Sequence, residues 1–202
     1  CMGEIGTPSR VLAGQFGAAF TFAPFNPEKI LAPGQIPWKQ LVSMYRYDSI
    51  TPSTQLYGVI ADPVGHSLSP VVHNAACAAA GIDAVYLPFL IPKGHLGDFL
   101  KEAKRWPLVG LSVTIPHKES VIEFASSKGE LVEEVGAANT ISFIGETKEI
   151  VVANTDVTAA VAAIQESLAA QDVGFGGRLG LKTAIILGAV SYTHLTLPTR
   201  YR

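Results

Sequence analysis

The sequence predicts an α/β fold with a mostly parallel sheet. Short apolar runs with strand character alternate with amphipathic helical stretches between residues 55 and 168, and the connections between them are short. Hydrophobic residues make up 48% of the 202 residues and charged residues only 16%, which suits a packed domain and not a disordered chain.

The first segment, residues 1–48, has strand and helix signals on both sides of a loop rich in proline and glycine at 24–34. We predict a helix at Ser9–Phe16, a short strand at Ala18–Phe22, and a helical stretch through Trp38, Leu41, Val42 and Tyr45. This is too little chain to enclose a hydrophobic core alone.

The second segment, residues 55–170, contains the strand–helix alternation itself. The predicted strands are Gln55–Ala61, Ala84–Phe89, Val109–Thr114, Asn139–Ile144 and Glu149–Ala153. The predicted helices are Pro70–Ala80, Lys93–Trp106 and Asp156–Leu168. Pro70 stands in the first turn of its helix and Gly81 just beyond its end, where these residue types are favoured.

The third segment follows a glycine-rich linker at 174–180. Thr183–Leu187 is a compact apolar strand followed by Gly188 and Ala189, which is how a dinucleotide-binding βαβ unit opens. We therefore predict that residues 180–190 begin a cofactor-binding domain, with Gly188 in its truncated binding motif. Residues 191–202 show no glycine fingerprint and no periodicity, and we interpret them as an artefactual tail.

Charge and hydropathy argue against several classes of partner. The net charge of -2 gives no electrostatic footprint for nucleic acid or an anionic membrane, and no apolar run approaches the roughly 20 residues of a membrane-spanning helix. Cys1 and Cys77 have no metal-ligand spacing. We expect a small-molecule substrate, no metal and a cytoplasmic location, although a leader before Cys1 would not be visible.

Two serines follow the end of the first strand of the second segment, in the sequence GHSLSP. In an extended loop Ser67 and Ser69 project to the same side, where their hydroxyls suit a carboxylate or sugar-like hydroxyls. The alternative is a serine that only caps the helix beginning at Pro70.

A lysine and an aspartate also follow predicted strands. In SVTIPHK the strand delivers Thr114 and the chain turns at Pro116, so that Lys118 enters the next helix near an apolar strand end and can act as an acid or base. In NTD, Asp156 can pair with Lys118 and hold its ammonium group. The alternatives are a solvated surface lysine and a helix-capping aspartate. His117, without a visible partner, is interpreted as structural.

The sequence GAANT, residues 136–140, combines small residues with Asn139. Small residues let the backbone approach another group closely, and the amide of Asn139 both donates and accepts hydrogen bonds. A simple turn before the next strand is the alternative.

Together, YGVIADPVGHSLSP, SVTIPHK, GAANT and NTD, in this order and spacing, resemble the shikimate dehydrogenase family over residues 56–189. The resemblance implies a substrate-binding domain followed by a dinucleotide-binding domain, with the site in the cleft between them. It implies reversible reduction of 3-dehydroshikimate to shikimate with NADPH, a step towards chorismate and the aromatic amino acids. NADP is therefore the expected cofactor.

The resemblance also implies roles for single residues. Lys118 and Asp156 would form the catalytic pair. The substrate carboxylate would be bound by Ser67 and Ser69, and ring hydroxyls by Thr114 and Asn139. The sequence departs from many single-domain members at Ser112, where they carry asparagine; members fused to a dehydratase often carry serine.

The start of the chain fits that fused subtype. MGEIGTPSRVLAGQFGAAFTFAP and APGQI resemble the last strands and helices of a type I 3-dehydroquinate dehydratase, an α/β barrel. By this resemblance Arg10 and Gln35 match substrate-contacting positions, whereas Leu31 replaces the usual serine or threonine. The Schiff-base lysine and catalytic histidine of that family have no counterpart in this sequence, so no dehydratase activity is expected of it.

Three functional hypotheses follow. The leading one is the dehydrogenase half of a bifunctional shikimate-pathway enzyme, with domain boundaries at 1–48, 55–170 and 180–190. A non-catalytic regulator that binds shikimate or quinate is the second, and Lys118 and Asp156 argue against it. The third is an inactive fragment that binds shikimate weakly and does not oxidise NADPH. The sequence does not decide whether the cofactor is NADP or NAD, or whether the substrate is shikimate or quinate.

Overall fold

The computed structural model describes residues 3–170, with side chains to residue 167. The strand predicted at Thr183–Leu187, Gly188 and the tail at 191–202 lie outside the described residues.

One six-stranded sheet organises the fold, with helices that connect or precede its strands. The strands are β1 Gln55–Ala61, β2 Ala84–Leu90, β3 Leu108–Val113, β4 Ser127–Lys128, β5 Thr140–Ile144 and β6 Glu149–Ala153. The helices are α1 Thr7–Val11, α2 Trp38–Ser43, α3 Ser69–Ala79, α4 Leu96–Ala103, α5 Glu130–Val135 and α6 Asp156–Ala170. Short 3₁₀ helices lie at Glu4–Gly6, Tyr47–Ser49 and Ser120–Phe124.

The strand order β2-β1-β3-β5-β6-β4 decides which strand ends meet. β1 pairs in parallel with β2 and β3, and β4 pairs in parallel with β6, whereas β5 runs antiparallel to both β3 and β6. The carboxyl ends of β1, β3 and β6 therefore share one edge of the sheet with the start of β5. The predicted α/β class with a mostly parallel sheet is confirmed, and this shared edge is where the candidate residues follow the strands.

The two faces of the sheet are packed differently because side chains alternate along each strand. In β2, Val85, Leu87 and Phe89 belong to the large core, together with residues of α4 and α5. Tyr86 points to the opposite face, where it joins a smaller cluster with Val59 of β1. Helix α3 packs against this side, where the ring of His73 stacks on Tyr86.

The first segment packs into the same large core as the sheet. Val11, Leu12 and Leu41 are at most 2% exposed and belong to the cluster that contains the β1 and β2 residues. Arg46 adds polar contacts, because its Nη2 donates to the carbonyl oxygens of Ile82 (3.3 Å) and Ala84 (2.8 Å). Helices of the first segment thus rest directly on the sheet.

Two predictions in the first segment are wrong. Residues 18–22 form no strand, since no neighbouring strand among the described residues pairs with them and a single strand cannot satisfy its backbone groups. The helix predicted at Ser9–Phe16 is Thr7–Val11, followed by turns. Pro8 in its first turn starts it earlier, and Gly14 is a poor helix former that helps to end it.

Candidate active site

Lys118 and Asp156 form an ion pair at the shared edge of the sheet. Lys118 Nζ donates to Asp156 Oδ2 at 2.7 Å. The two side chains keep 18% and 23% of their surface exposed, so the pair is partly desolvated but can still be reached from solvent. A short charge-assisted hydrogen bond of this kind fixes the position of the ammonium group.

Lys118 lies in a turn, not in the helix that the sequence predicted. Its carbonyl oxygen accepts a hydrogen bond from the backbone nitrogen of Ala138 at 2.7 Å, so it bonds the loop before β5 instead of a helical neighbour. The same turn closes with a bond from His117 N to the carbonyl oxygen of Thr114 at 2.9 Å. The turn after β3 is thereby fastened to the start of β5.

Asp156 is the first residue of α6, and a neighbour caps that helix. Asn154 Oδ1 accepts hydrogen bonds from the backbone nitrogens of Asp156 (3.0 Å) and Val157 (3.3 Å), while Asn154 Nδ2 donates to the carbonyl oxygen of Ala137 (2.9 Å). The capping alternative for Asp156 therefore does not hold. Its carboxylate faces Lys118 and gains from the positive end of the helix dipole.

Asn139 completes the constellation by holding the other oxygen of Asp156. Its Nδ2 donates to Asp156 Oδ1 and to Thr155 Oγ1, both at 2.8 Å. Its Oδ1 accepts from the backbone nitrogen of Thr155 at 3.0 Å and from the hydroxyl of Thr140 at 2.9 Å. All four hydrogen-bonding positions of this amide are used, so its orientation is fixed.

Ser67 and Ser69 lie after β1, but not in an extended loop. Ser67 Oγ accepts a hydrogen bond from the backbone nitrogen of Ser69 at 3.3 Å, and Ser69 is the first residue of α3. Leu68 between them has helical torsion angles. The bend keeps both hydroxyls near the N-terminus of α3, where the backbone N–H groups and the helix dipole favour binding of an anion.

Tyr86 is a site neighbour that the sequence analysis missed. Its hydroxyl donates to Ser112 Oγ at 2.7 Å. Burial raises the pKa of the Tyr86 phenol, and the neighbouring side chains of Ser112 and Ser69 lower it in part. An aromatic residue in a predicted strand gives no sign of this role, because the contact depends on the strand order.

The remaining candidates lie apart from this constellation or are structural. His117 is 2% exposed and its Nε2 donates to the carbonyl oxygen of Ile91 at 2.7 Å, in line with the structural interpretation. Gln35 uses its Oε1 to accept from the backbone nitrogens of Leu31 and Ala32. The carbonyl oxygen of Arg10 accepts from the hydroxyl of Thr21 at 3.0 Å.

Neither a metal-binding cluster nor a membrane-spanning helix occurs in the part of the chain that the structure describes. Within residues 3–170 no group of three or more His, Cys, Asp or Glu side chains is arranged to hold a metal ion. None of the helices in that range is long and apolar enough to cross a membrane.

Two family models match the chain, one for each of its described segments. Residues 1–52 match the model for type I 3-dehydroquinase. Residues 59–141 match the model for the shikimate dehydrogenase substrate binding domain. The second match contains the two serines, Lys118 and Asn139, and ends before Asp156.

Individual relatives are described as shikimate dehydrogenases, and one of them also as a 3-dehydroquinate dehydratase. A bifunctional 3-dehydroquinate dehydratase/shikimate dehydrogenase, chloroplastic, from Arabidopsis thaliana is 34% identical over 193 residues, which is 93% of this chain and 32% of that protein. A shikimate dehydrogenase (NADP(+)) from Thermococcus kodakarensis is 53% identical over 88 residues, 44% of this chain and 32% of that protein. The chain thus spans about a third of the length of these curated relatives.

Solved structures agree with the fold. The crystal structure of shikimate 5-dehydrogenase from Listeria monocytogenes, in complex with shikimate and NAD, has a TM-score of 0.55 and 35% identity. The match covers 58% of this chain and 40% of that one.

Proposed function

We propose that this chain, a member of the shikimate dehydrogenase family over residues 59–141, supplies the substrate-binding and acid–base part of an enzyme that interconverts 3-dehydroshikimate and shikimate. The observation that carries the proposal is the 2.7 Å contact between Lys118 Nζ and Asp156 Oδ2 at the edge where the strand ends meet. The type I 3-dehydroquinase match at residues 1–52 supports a bifunctional enzyme, like the relative from Arabidopsis thaliana.

Lys118 is the proton donor in this proposal. Reduction of a ketone adds a hydride to the carbonyl carbon and a proton to the carbonyl oxygen, and the ammonium group of Lys118 provides that proton. The amine then regains a proton from solvent, to which the side chain is 18% exposed. Asp156 holds the ammonium in place and stabilises its charged form between turnovers.

The two serines and the two residues beside the ion pair bind the substrate. Ser67 and Ser69 donate to its carboxylate from the N-terminus of α3. Thr114 and Asn139 bind ring hydroxyls. Because the amide of Asn139 is fully occupied, a substrate hydroxyl would replace its exposed contact with Thr155 Oγ1, while the contact with Asp156 stays intact.

The cofactor of the proposed reaction is NADP, which supplies the hydride when bound. The residues expected to hold it begin at Gly188, outside the described part of the chain. The residues at 3–170 account for substrate binding and proton transfer only.

The first segment is proposed to be the end of a dehydratase barrel, with Arg10 and Gln35 at substrate-contacting positions of that second site. The proposed domain boundaries are residues 1–48, 55–170 and 180–190, with 191–202 an artefactual tail. The proposed location is the cytoplasm, or a plastid if the source is a plant. Neither nucleic acid nor a membrane is a proposed partner.

Two measurements test the function. Titration of the 202-residue chain with shikimate, followed by NMR, should show saturable binding. In an enzyme that joins this segment to a complete dinucleotide-binding domain, Lys118→Ala should lower kcat by roughly 10²–10⁴-fold and change KM far less. Lys101→Ala, on the exposed side of α4, is the matched control and should leave both constants unchanged. Unchanged kcat in Lys118→Ala would contradict the assignment.

A further inference from the structure

We infer that Tyr86 is a positioning residue of this substrate site, whose hydroxyl holds the side chain of Ser112 so that the Ser112 proton can be donated to an oxygen of the bound substrate. The inference rests on the proposed function and names a residue on a strand that none of the four sequence motifs includes.

Tyr86 connects elements that are not neighbours in the sheet. It lies on the edge strand β2, opposite Tyr57 of β1, whereas Ser112 lies on β3, beyond β1. Two strand spacings, roughly 10 Å, separate β2 from β3. Only a long side chain that lies across β1 can bridge them, and the phenol does so with its 2.7 Å contact to Ser112 Oγ.

The direction of this hydrogen bond decides which proton stays available to a ligand. Tyr86 donates its single proton to Ser112 Oγ, so the proton of Ser112 remains available for another acceptor. Ser112 lies near the end of β3, and Thr114 follows the last residue of that strand. The phenol thus orients a hydroxyl group two residues before one of the proposed substrate-binding residues.

The position of Tyr86 is itself fixed at both ends. Its backbone nitrogen donates to Asn74 Oδ1 at 2.9 Å, and its carbonyl oxygen accepts from Asn74 Nδ2 at 2.8 Å. These backbone groups lie on the side of β2 with which no other strand among residues 3–170 pairs. The ring stacks on His73, with 4.3 Å between centroids and 16° between planes.

A fixed phenol has a direct consequence for binding. Serine hydroxyls rotate freely in solution, and ordering them costs free energy when a ligand binds. The hydrogen bond from Tyr86 restricts the rotation of the Ser112 hydroxyl before the ligand arrives. Burial also raises the pKa of Tyr86, so the phenol keeps its proton over the neutral pH range and remains a donor.

The test is the affinity of the 202-residue chain for shikimate, measured by NMR titration or calorimetry. Tyr86→Phe removes one oxygen and keeps the ring on His73, so the dissociation constant should rise about 5-fold, the worth of roughly one neutral hydrogen bond. The matched control is Tyr57→Phe, on the same face of the sheet, whose hydroxyl contacts only the exposed side chain of Gln55 and whose affinity should stay within about 2-fold of wild type.

A double-mutant cycle separates positioning from packing. If Tyr86 acts through Ser112, Tyr86→Phe should cost less than about 2-fold when Ser112→Ala is already present. An equal loss in both backgrounds, or wild-type affinity in Tyr86→Phe, would overturn the inference. If Tyr86→Phe does not fold, Ser112→Ala carries the test, and unchanged affinity in that variant would overturn the inference. A wild-type chain that does not bind shikimate would instead contradict the proposed substrate site, and this inference with it.

Discussion

Asn154 caps the helix that Asp156 begins. The cap oxygen accepts from the backbone nitrogens of Asp156 at 3.0 Å and Val157 at 3.3 Å. An aspartate at the start of a helix could both cap the helix and pair with a lysine. Here Asn154 caps the helix, and Asp156 pairs with Lys118. Asp156 keeps both carboxylate oxygens for Lys118 and Asn139.

Asn154→Ala should lower both stability and substrate affinity. Loss of a cap costs about 1–2 kcal/mol in the free energy of unfolding, measurable by urea denaturation. Without the cap, the carboxylate of Asp156 competes for the free backbone nitrogens and leaves Lys118, so shikimate binding should weaken. Asn154→Ser retains a cap oxygen and should recover most of both losses. An Asn154→Ala variant as stable as wild type would refute the division of tasks.

Asp156→Asn tests the charge of the pair with almost no change of shape. The neutral amide can accept from Lys118 or from Asn139, but it also turns a donor towards one of these two donors. We expect kcat in the complete enzyme to fall at least about 100-fold, because the ammonium is no longer held in place. Full activity of this variant would contradict the role of Asp156.

Asp156→Glu provides the comparison for that variant. It keeps the negative charge but moves it by one methylene, so Lys118 can still be paired while Asn139 cannot keep its 2.8 Å contact. Activity between those of wild type and Asp156→Asn would show that charge and geometry both contribute.

Much of the fold could be predicted because its signals are local. β1, β6 and α3 lie within a residue of their predicted ends, since apolar alternation and the Pro70–Gly81 pair mark them directly. Residues 18–22 show the limit of this approach. Their composition favours a strand, but strand formation depends on a pairing partner that the local sequence does not reveal.

Part of the candidate site could also be predicted from the sequence. Lys118 and Asp156 follow strands whose ends meet, so their proximity could be inferred from the α/β pattern. The bridge from Tyr86 to Ser112 could not, because it requires β1 to lie between β2 and β3. α5 was also missed: its six residues are too few for a clear helical period, although Gly136 with φ of 71° ends it as expected for glycine.

Arg46→Ala should destabilise the contact between the first segment and the sheet. Its guanidinium donates to the carbonyl oxygens of Ile82 (3.3 Å) and Ala84 (2.8 Å), and both of these hydrogen bonds would be lost. Hydrogen bonds to a charged group are worth about 1.5–3 kcal/mol, so the free energy of unfolding should fall by about that amount.

Arg105→Ala is the control for Arg46→Ala. Arg105 forms an ion pair with Glu102 at 3.0 Å, in which both side chains are more than half exposed. Exposed pairs of this kind contribute about 0.5 kcal/mol or less. Equal losses in the two variants would mean that Arg46 does not anchor the first segment to the sheet.

Tyr45 makes the stability of the chain sensitive to alkaline pH. Burial in the shared core, where the residue is 4% exposed, raises the pKa of its phenol from 10.0 to about 12. Between these values the unfolded chain loses the proton while the folded chain retains it. The folded state then binds more protons than the unfolded one, so the stability due to this residue is fully present below about pH 10 and declines as the pH rises towards 12.

Tyr45→Phe should remove this decline. A shift of about two pKa units corresponds to about 3 kcal/mol, so wild type should lose up to that much more unfolding free energy than the variant between pH 9.5 and pH 12. Below about pH 9 the two stability curves should run parallel, because Tyr45 is neutral in both states there. Urea denaturation across this range measures the difference, in which all other titrating groups cancel. Parallel curves up to pH 12 would place the phenol of Tyr45 in contact with water, and would exclude its packing between the first segment and the sheet.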